Sequence, residues 1–197
     1  APGDLGHDAA LEPWSYDLDA ARALMAEAGY PDGFSAEFGY PTGIVGGMRT
    51  IVDAVVLSLG QIGISLEPQP LSGPQFQQFV AGRSGDPEQD YVALFSGTFA
   101  GALEPTVGLR THFTADGPFS RYFDETVSSL INEAAATLDR EARGELIRRA
   151  VARMHEDIAY VPILTSLDTF ALPAEMDYAP TRANYAEFVI ANLSGGM

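Results

Sequence analysis

The stretch Tyr16-Asp-Leu-Asp-Ala-Ala-Arg-Ala-Leu-Met-Ala-Glu-Ala-Gly-Tyr-Pro-Asp-Gly-Phe34 constrains the fold most, because it spells out a helix, its stop signal and the entry to a strand. Ala21, Leu24, Met25 and Ala28 fall at helical spacing on one face, and Asp17 and Asp19 sit where the helix dipole favours negative charge. Gly29 ends the helix and Pro31 cannot continue it. After the Asp32-Gly33 turn, Phe34, Ala36, Phe38 and Tyr40 alternate with Ser35, Glu37 and Gly39, which predicts a half-buried strand.

The pattern repeats downstream. Met48 to Gln61 reads as a helix with Ile51, Val52, Val55, Val56 and Leu59 as its apolar stripe. Ile64-Ser-Leu-Glu-Pro-Gln-Pro-Leu71 alternates like a strand, but Pro68 and Pro70 donate no ladder bonds, so its second half belongs on an edge. A short helix is expected from Pro74 to Ala81, and the unbroken apolar run Tyr91-Val-Ala-Leu-Phe95 suits a strand covered on both faces. Two helices follow. Val127, Leu130, Ile131, Ala134 and Leu138 form one stripe under an Asp124 cap. Asp139 restarts the pattern, and Leu146, Ile147, Ala150, Val151, Met154 and Ile158 form the second stripe, with Glu145 and Arg149 paired outside. Tyr160-Val-Pro-Ile-Leu164 is expected as an apolar strand, and Thr169 to Leu172 as another. Alternating strands and helices followed by two long helices indicate an α/β architecture, a mixed sheet with helices on both faces.

Composition narrows the function classes. A chain of 197 residues, 46% hydrophobic, buries a real core. It has no cysteine, which excludes disulfides, thiol catalysis and cysteine-ligated metals. A net charge of −16, with all 11 cationic residues arginine, argues against nucleic acid as a partner. No apolar run reaches the roughly 18 residues needed to span a bilayer. The first residues show no targeting pattern, so such a segment is expected upstream or already removed.

Taken in order, five phrases resemble the C-terminal lobe of the family 5 extracellular solute-binding proteins, the peptide, oligopeptide and nickel receptors of ABC importers. They are Tyr16 to Phe34, Leu59-Gly-Gln-Ile-Gly-Ile-Ser65, Asp90 to Pro105, Tyr122-Phe-Asp-Glu-Thr-Val-Ser-Ser-Leu-Ile131 and Glu156-Asp-Ile-Ala-Tyr-Val-Pro-Ile163. The resemblance implies a periplasmic-binding-protein type II fold, with residues 1–197 forming one lobe. It also implies that residues from about 180 to 197 return to an N-terminal lobe absent from this chain. The expected partners are a small-molecule or peptide ligand, the missing lobe and an ABC permease. The expected location is extracytoplasmic, periplasmic or as a cell-surface lipoprotein.

Ligands of open α/β sheets bind beyond the carboxyl ends of strands, which directs attention to the stretch after Phe95. Ser96 and Thr98 offer hydroxyls, Gly97 allows close backbone approach and Phe99 offers a packing face; an ordinary glycine-containing loop is the alternative. Arg110 is a candidate for a ligand carboxylate or for pairing with Glu104. Tyr40, Phe113 and Tyr122 are candidates to line a cleft, or core aromatics. Peptide receptors of the resembled family carry a tryptophan and an aspartate in the segment where Ser96 to Leu103 has neither, which puts an ordinary peptide ligand in doubt. His7, His112 and His155 lack metal-ligand spacing, so neither a metal nor another cofactor is expected. Two other functions compete. One is a hydrolase using paired carboxylates, Glu156-Asp157 or Asp86 with Glu88, disfavoured because no nucleophile, phosphate-loop or zinc motif accompanies them. The other is a freestanding or fragment interaction module associating through an exposed lobe interface.

Overall fold

A computed structural model of the chain describes residues 5–43, 46–81, 91–93, 105–120 and 122–164. The chain divides into two units, Ala10–Gly97 and Ala1–Ala9 with Thr98–Met197. Among the described residues the first unit holds three helices and three strands in alternation and the second holds three helices.

In the first unit Asp17 caps α1 (Leu18–Glu27), its carboxylate accepting from the Asp19 and Ala20 amides at 3.0 and 2.9 Å. Gly29, at φ 92°, ends it, and the Tyr30 amide turns back to the Met25 carbonyl at 2.8 Å. The face that α1 presents differs from the expected one. Leu18, Ala21 and Met25 are half-buried, Leu24 is 64% exposed and no residue of α1 is fully buried. Arg22 fastens the helix instead, donating to Asp19 and to the Gln61 carbonyl at 3.1 Å.

Strand β1 (Phe34–Pro41) is central in a sheet of order β2-β1-β3, with β2 (Ile64–Leu71) and β3 (Tyr91–Ala93) both parallel to it. Its central place explains why alternation fades into continuous burial from Phe38 to Pro41. The β1–β2 register runs unbroken from Phe34↔Ile64 to Pro41↔Leu71. The prolines of β2 are tolerated because β2 is an edge among the described strands. Helix α2 (Met48–Gly60) makes the crossover, and Met48 and Val52 join Ala36, Phe38, Tyr40 and Leu66 in the core. Helix α3 (Gly73–Ala81) starts where Gln75 accepts from the Ser72 amide and hydroxyl.

In the second unit α4 (Pro105–Phe113), α5 (Glu125–Ala136) and α6 (Arg140–Glu156) bury a core of Leu109, Phe113, Val127, Leu130, Ile131, Ala134, Leu146, Ile147, Ala150 and Met154. Asp124 caps α5 as expected, and Asp139, where the pattern was expected to restart, caps α6; they accept from the Val127 and Ala142 amides at 2.8 Å each. Four expectations fail here. Leu138 is 94% exposed because α5 stops at Ala136. Ile158 lies beyond the end of α6 and is 56% exposed. Glu145 pairs with Arg148 at 2.7 Å, one residue nearer than Arg149. The run from Tyr160 to Leu164 forms no strand, having no neighbouring strand among the described residues, and its apolar side chains are exposed. No described helix is long and apolar enough to cross a membrane.

Candidate functional site

The carboxyl ends of the three parallel strands lie at Pro41, Leu71 and Ala93. The first two are joined, because the Thr42 amide and hydroxyl both donate to the Leu71 carbonyl, at 2.8 and 3.0 Å. Helix α2 begins beyond this edge with Gly47 at its N-cap, so no side chain caps its first amides. Within the first turn, the Arg49 guanidinium donates to Asp53 at 2.8 Å and stays solvent-exposed. The hydrogen bond to Asp53, its charge, and a lesser contribution from the Tyr40 hydroxyl all hold Arg49 firmly cationic. Tyr40 itself is buried in the core, its ring 6.5 Å from that of Phe38. The strand ends thus present an exposed cation and uncapped helix amides, a combination suited to an anionic group on a small ligand.

The sequence candidates divide between the units. Tyr40 belongs to the strand-edge set just described. Ser96, Gly97, Thr98 and Phe99 lie outside the described residues, as do Glu104, Asp86 and Glu88. Arg110 is exposed on α4, and its carbonyl accepts from the Thr114 hydroxyl at 2.7 Å. Phe113 is a core residue at 6% exposure, with the Tyr160 ring 5.2 Å away. Tyr122 packs against the same core and donates its hydroxyl to Asp157 Oδ2 at 2.6 Å. Burial, then this bond, push the Tyr122 phenol well above its ordinary range. The structure therefore brings Phe113 and Tyr122 onto one core, while Arg110 points to solvent.

Sequence reasoning missed Arg49. The signal was present in Gly46-Gly47 opening a helix directly after a strand and loop.

Charged groups cluster where α5 begins and α6 ends. Arg153 donates to Asp124 at 3.3 Å and pairs with Glu156 at 3.6 Å and Asp157 at 3.2 Å. The Glu156-Asp157 carboxylates therefore share one guanidinium. Hydrogen bonding from the Val127 amide, then from Arg153, holds the Asp124 carboxyl below its ordinary range. His112 lies 5.6 Å from the Phe119 ring, and burial lowers its pKa. Both shifts are downward, so each group adds stability above its unfolded pKa that is lost as pH falls through its folded value. Acid titration followed by circular dichroism is expected to show stability falling first below about pH 6.5 and again below about pH 4. Asp124→Asn is expected to shrink the second step, to which Asp116, also held low by the Thr114 hydroxyl, contributes, and to leave the first. Among the described residues no group of three or more histidine, aspartate or glutamate side chains is placed to hold a metal.

No protein-family model matches the chain. Heme-binding protein A of Haemophilus influenzae is 21% identical over 201 residues, covering 94% of this chain and 34% of that protein. Glutathione-binding protein GsiB of Salmonella choleraesuis is 25% identical over 169 residues, covering 83% and 33%. Among solved structures, the periplasmic binding protein DppA of Helicobacter pylori, in complex with the peptide STSA, superposes with a TM-score of 0.67 at 24% identity. That match covers 82% of this chain and 31% of DppA. The chain spans about one third of the length of the curated relatives it matches. These relatives are binding proteins rather than enzymes. The fold is that of the type II periplasmic binding proteins, and in fold and sequence the chain is similar to the family 5 extracellular solute-binding proteins.

Proposed function

We propose that this chain is the C-terminal lobe of an importer receptor that encloses a small solute with a separate N-terminal lobe and delivers it to an ABC permease outside the cytoplasm. The observation that carries the reading is the strand edge: parallel β1, β2 and β3 end beside uncapped α2 amides and the exposed Arg49. A site of this make-up favours ligands with a carboxylate or comparable anionic group, the class that includes peptides and glutathione. The absence of an aspartate between Ser96 and Leu103 removes the usual counter-charge for a peptide amino terminus. Blocked or modified peptides are therefore favoured over free ones. Catalysis is no part of the proposal, since Asp157 and Glu156 are engaged by Arg153 and Tyr122.

Isothermal titration of the full receptor tests this with two tetrapeptide pools, one with free carboxyl termini and one amidated. Tighter binding of the free-carboxylate pool is expected, with Arg49→Ala weakening it by about tenfold or more and leaving the amidated pool unchanged. Equal affinity for both pools, insensitive to Arg49, removes the strand edge as the anion site.

A second reading, an interaction module, is favoured by one observation: Phe123, Val161, Ile163 and Leu164 are each about half exposed or more. Light scattering separates the two, because a strictly monomeric, ligand-competent species argues against the module.

A further inference from the structure

Ile158 is the one non-glycine residue with a positive φ, 51°, among the described residues. Left-handed backbone is costly for a β-branched side chain. Ile158 is 56% exposed, so core packing does not account for it. It stands just past Asp157, the C-cap of α6. Its own amide donates to the His155 carbonyl at 3.1 Å, and the Ala159 amide donates to the Met154 carbonyl at 2.9 Å. This pair of bonds is the Schellman ending, in which this position is ordinarily glycine.

Contacts on either side pin the strained residue. Before it, Asp157 accepts the Tyr122 hydroxyl at 2.6 Å and pairs with Arg153, which is also bonded to Asp124. After it, Ala159 packs against the α4–α6 core, and the Tyr160 ring lies 5.2 Å from Phe113. Beyond Tyr160 the side chains of Val161, Ile163 and Leu164 are exposed.

We propose that Ile158 is a loaded joint. The Tyr122–Asp157 clasp holds it left-handed and keeps Ala159 on the core and the Tyr160 ring against Phe113; opening the clasp lets Ile158 relax to negative φ and these two residues swing free of α6. The two arrangements differ in one backbone dihedral region, the Tyr122–Asp157 hydrogen bond, two backbone hydrogen bonds and the Ala159 and Tyr160 contacts, with relief of the left-handed strain offsetting part of what opening loses. This joint goes beyond the ligand site and does not depend on it.

Amide hydrogen exchange on the whole chain tests the joint, read at Ile158 and Ala159, whose amides make the two bonds that opening breaks. Tyr122→Phe is expected to speed exchange at these amides about tenfold while Ile131 and Ala134 in α5 keep their rates. Ile158→Asn is expected to slow them about threefold, because asparagine tolerates left-handed backbone. Uniformly faster exchange throughout α5 and α6 in Tyr122→Phe reduces the clasp to a general stabiliser and overturns the joint. So do unchanged rates at Ile158 and Ala159, or faster exchange in Ile158→Asn.

Discussion

Replacing Phe38 with alanine is expected to cost about 3–5 kcal/mol of the stability of the sheet unit. Phe38 is 1% exposed in the middle of the central strand, paired in register with Pro68 on one side and Val92 on the other. Its ring belongs to the cluster of Ala36, Tyr40, Met48, Val52 and Leu66, drawn from both β1 and β2 and from the crossover helix. The loss combines the transfer of a large apolar side chain with a cavity that a close-packed sheet cannot collapse. Urea unfolding, with amide protection in β1 as the local readout, measures it. A loss below about 1 kcal/mol means the cluster is loosely packed and the core assignment is wrong.

Gly33→Ala is the second large effect. Gly33 precedes β1 and Gly63 precedes β2, and because the strands pair from Phe34↔Ile64 onward the two turns lie back to back. A Cβ on Gly33 falls 1.9 Å from the Gly63 carbonyl oxygen and 2.4 Å from its carbon, both backbone atoms that cannot rotate away. The residue also has φ 81°. Left-handed strain of about 1–3 kcal/mol is therefore joined by overpacking of a further 1–3 kcal/mol. Gly29→Ala separates the two contributions, since Gly29 has φ 92° but open space around it. Thermal unfolding should show Gly29→Ala losing only the strain, with Gly33→Ala losing clearly more. Equal losses would mean that the turns are not in contact.

Local punctuation was legible in the sequence, and tertiary context was less so. The α5 and α6 stripes up to Ala134 and Met154, the Asp124 cap, the restart at Asp139 and the Gly29 stop follow from rules acting within a few residues, and the structure carries them. The expected face of α1 was wrong because Leu24 and Ala28 satisfy helical spacing as well as Leu18 does. Spacing alone does not tell which of two overlapping stripes meets the protein. Helix α4 was missed although Pro105 stands at its first position, because its nine residues include only a weak apolar face. The run from Tyr160 to Leu164 reads as a strand by propensity, yet a strand requires a partner, and none lies among the described residues.

The candidate site was legible in kind rather than in residues. The rule that ligands sit beyond the carboxyl ends of parallel strands pointed to the segment after β3, which lies outside the described residues. The same rule applied to β1 leads to Tyr40 and Arg49. Arg49 escaped notice because an arginine early in a helix reads first as a solvated charge, and its pairing with Asp53 four residues on supports that reading. Phe113 and Tyr122 were singled out as aromatic, but their surroundings are a helical core and a carboxylate clasp.

The most direct test of the ligand-binding account is an amide chemical-shift titration of the receptor containing this chain. The probes are free-carboxylate tetrapeptides and glutathione, each with its amidated counterpart as control. Saturable shifts concentrated at Tyr40, Thr42 and the first turn of α2, absent with the amidated probes, are the predicted result. Shifts confined to α5 and α6, or no saturable shift with any probe, would contradict it.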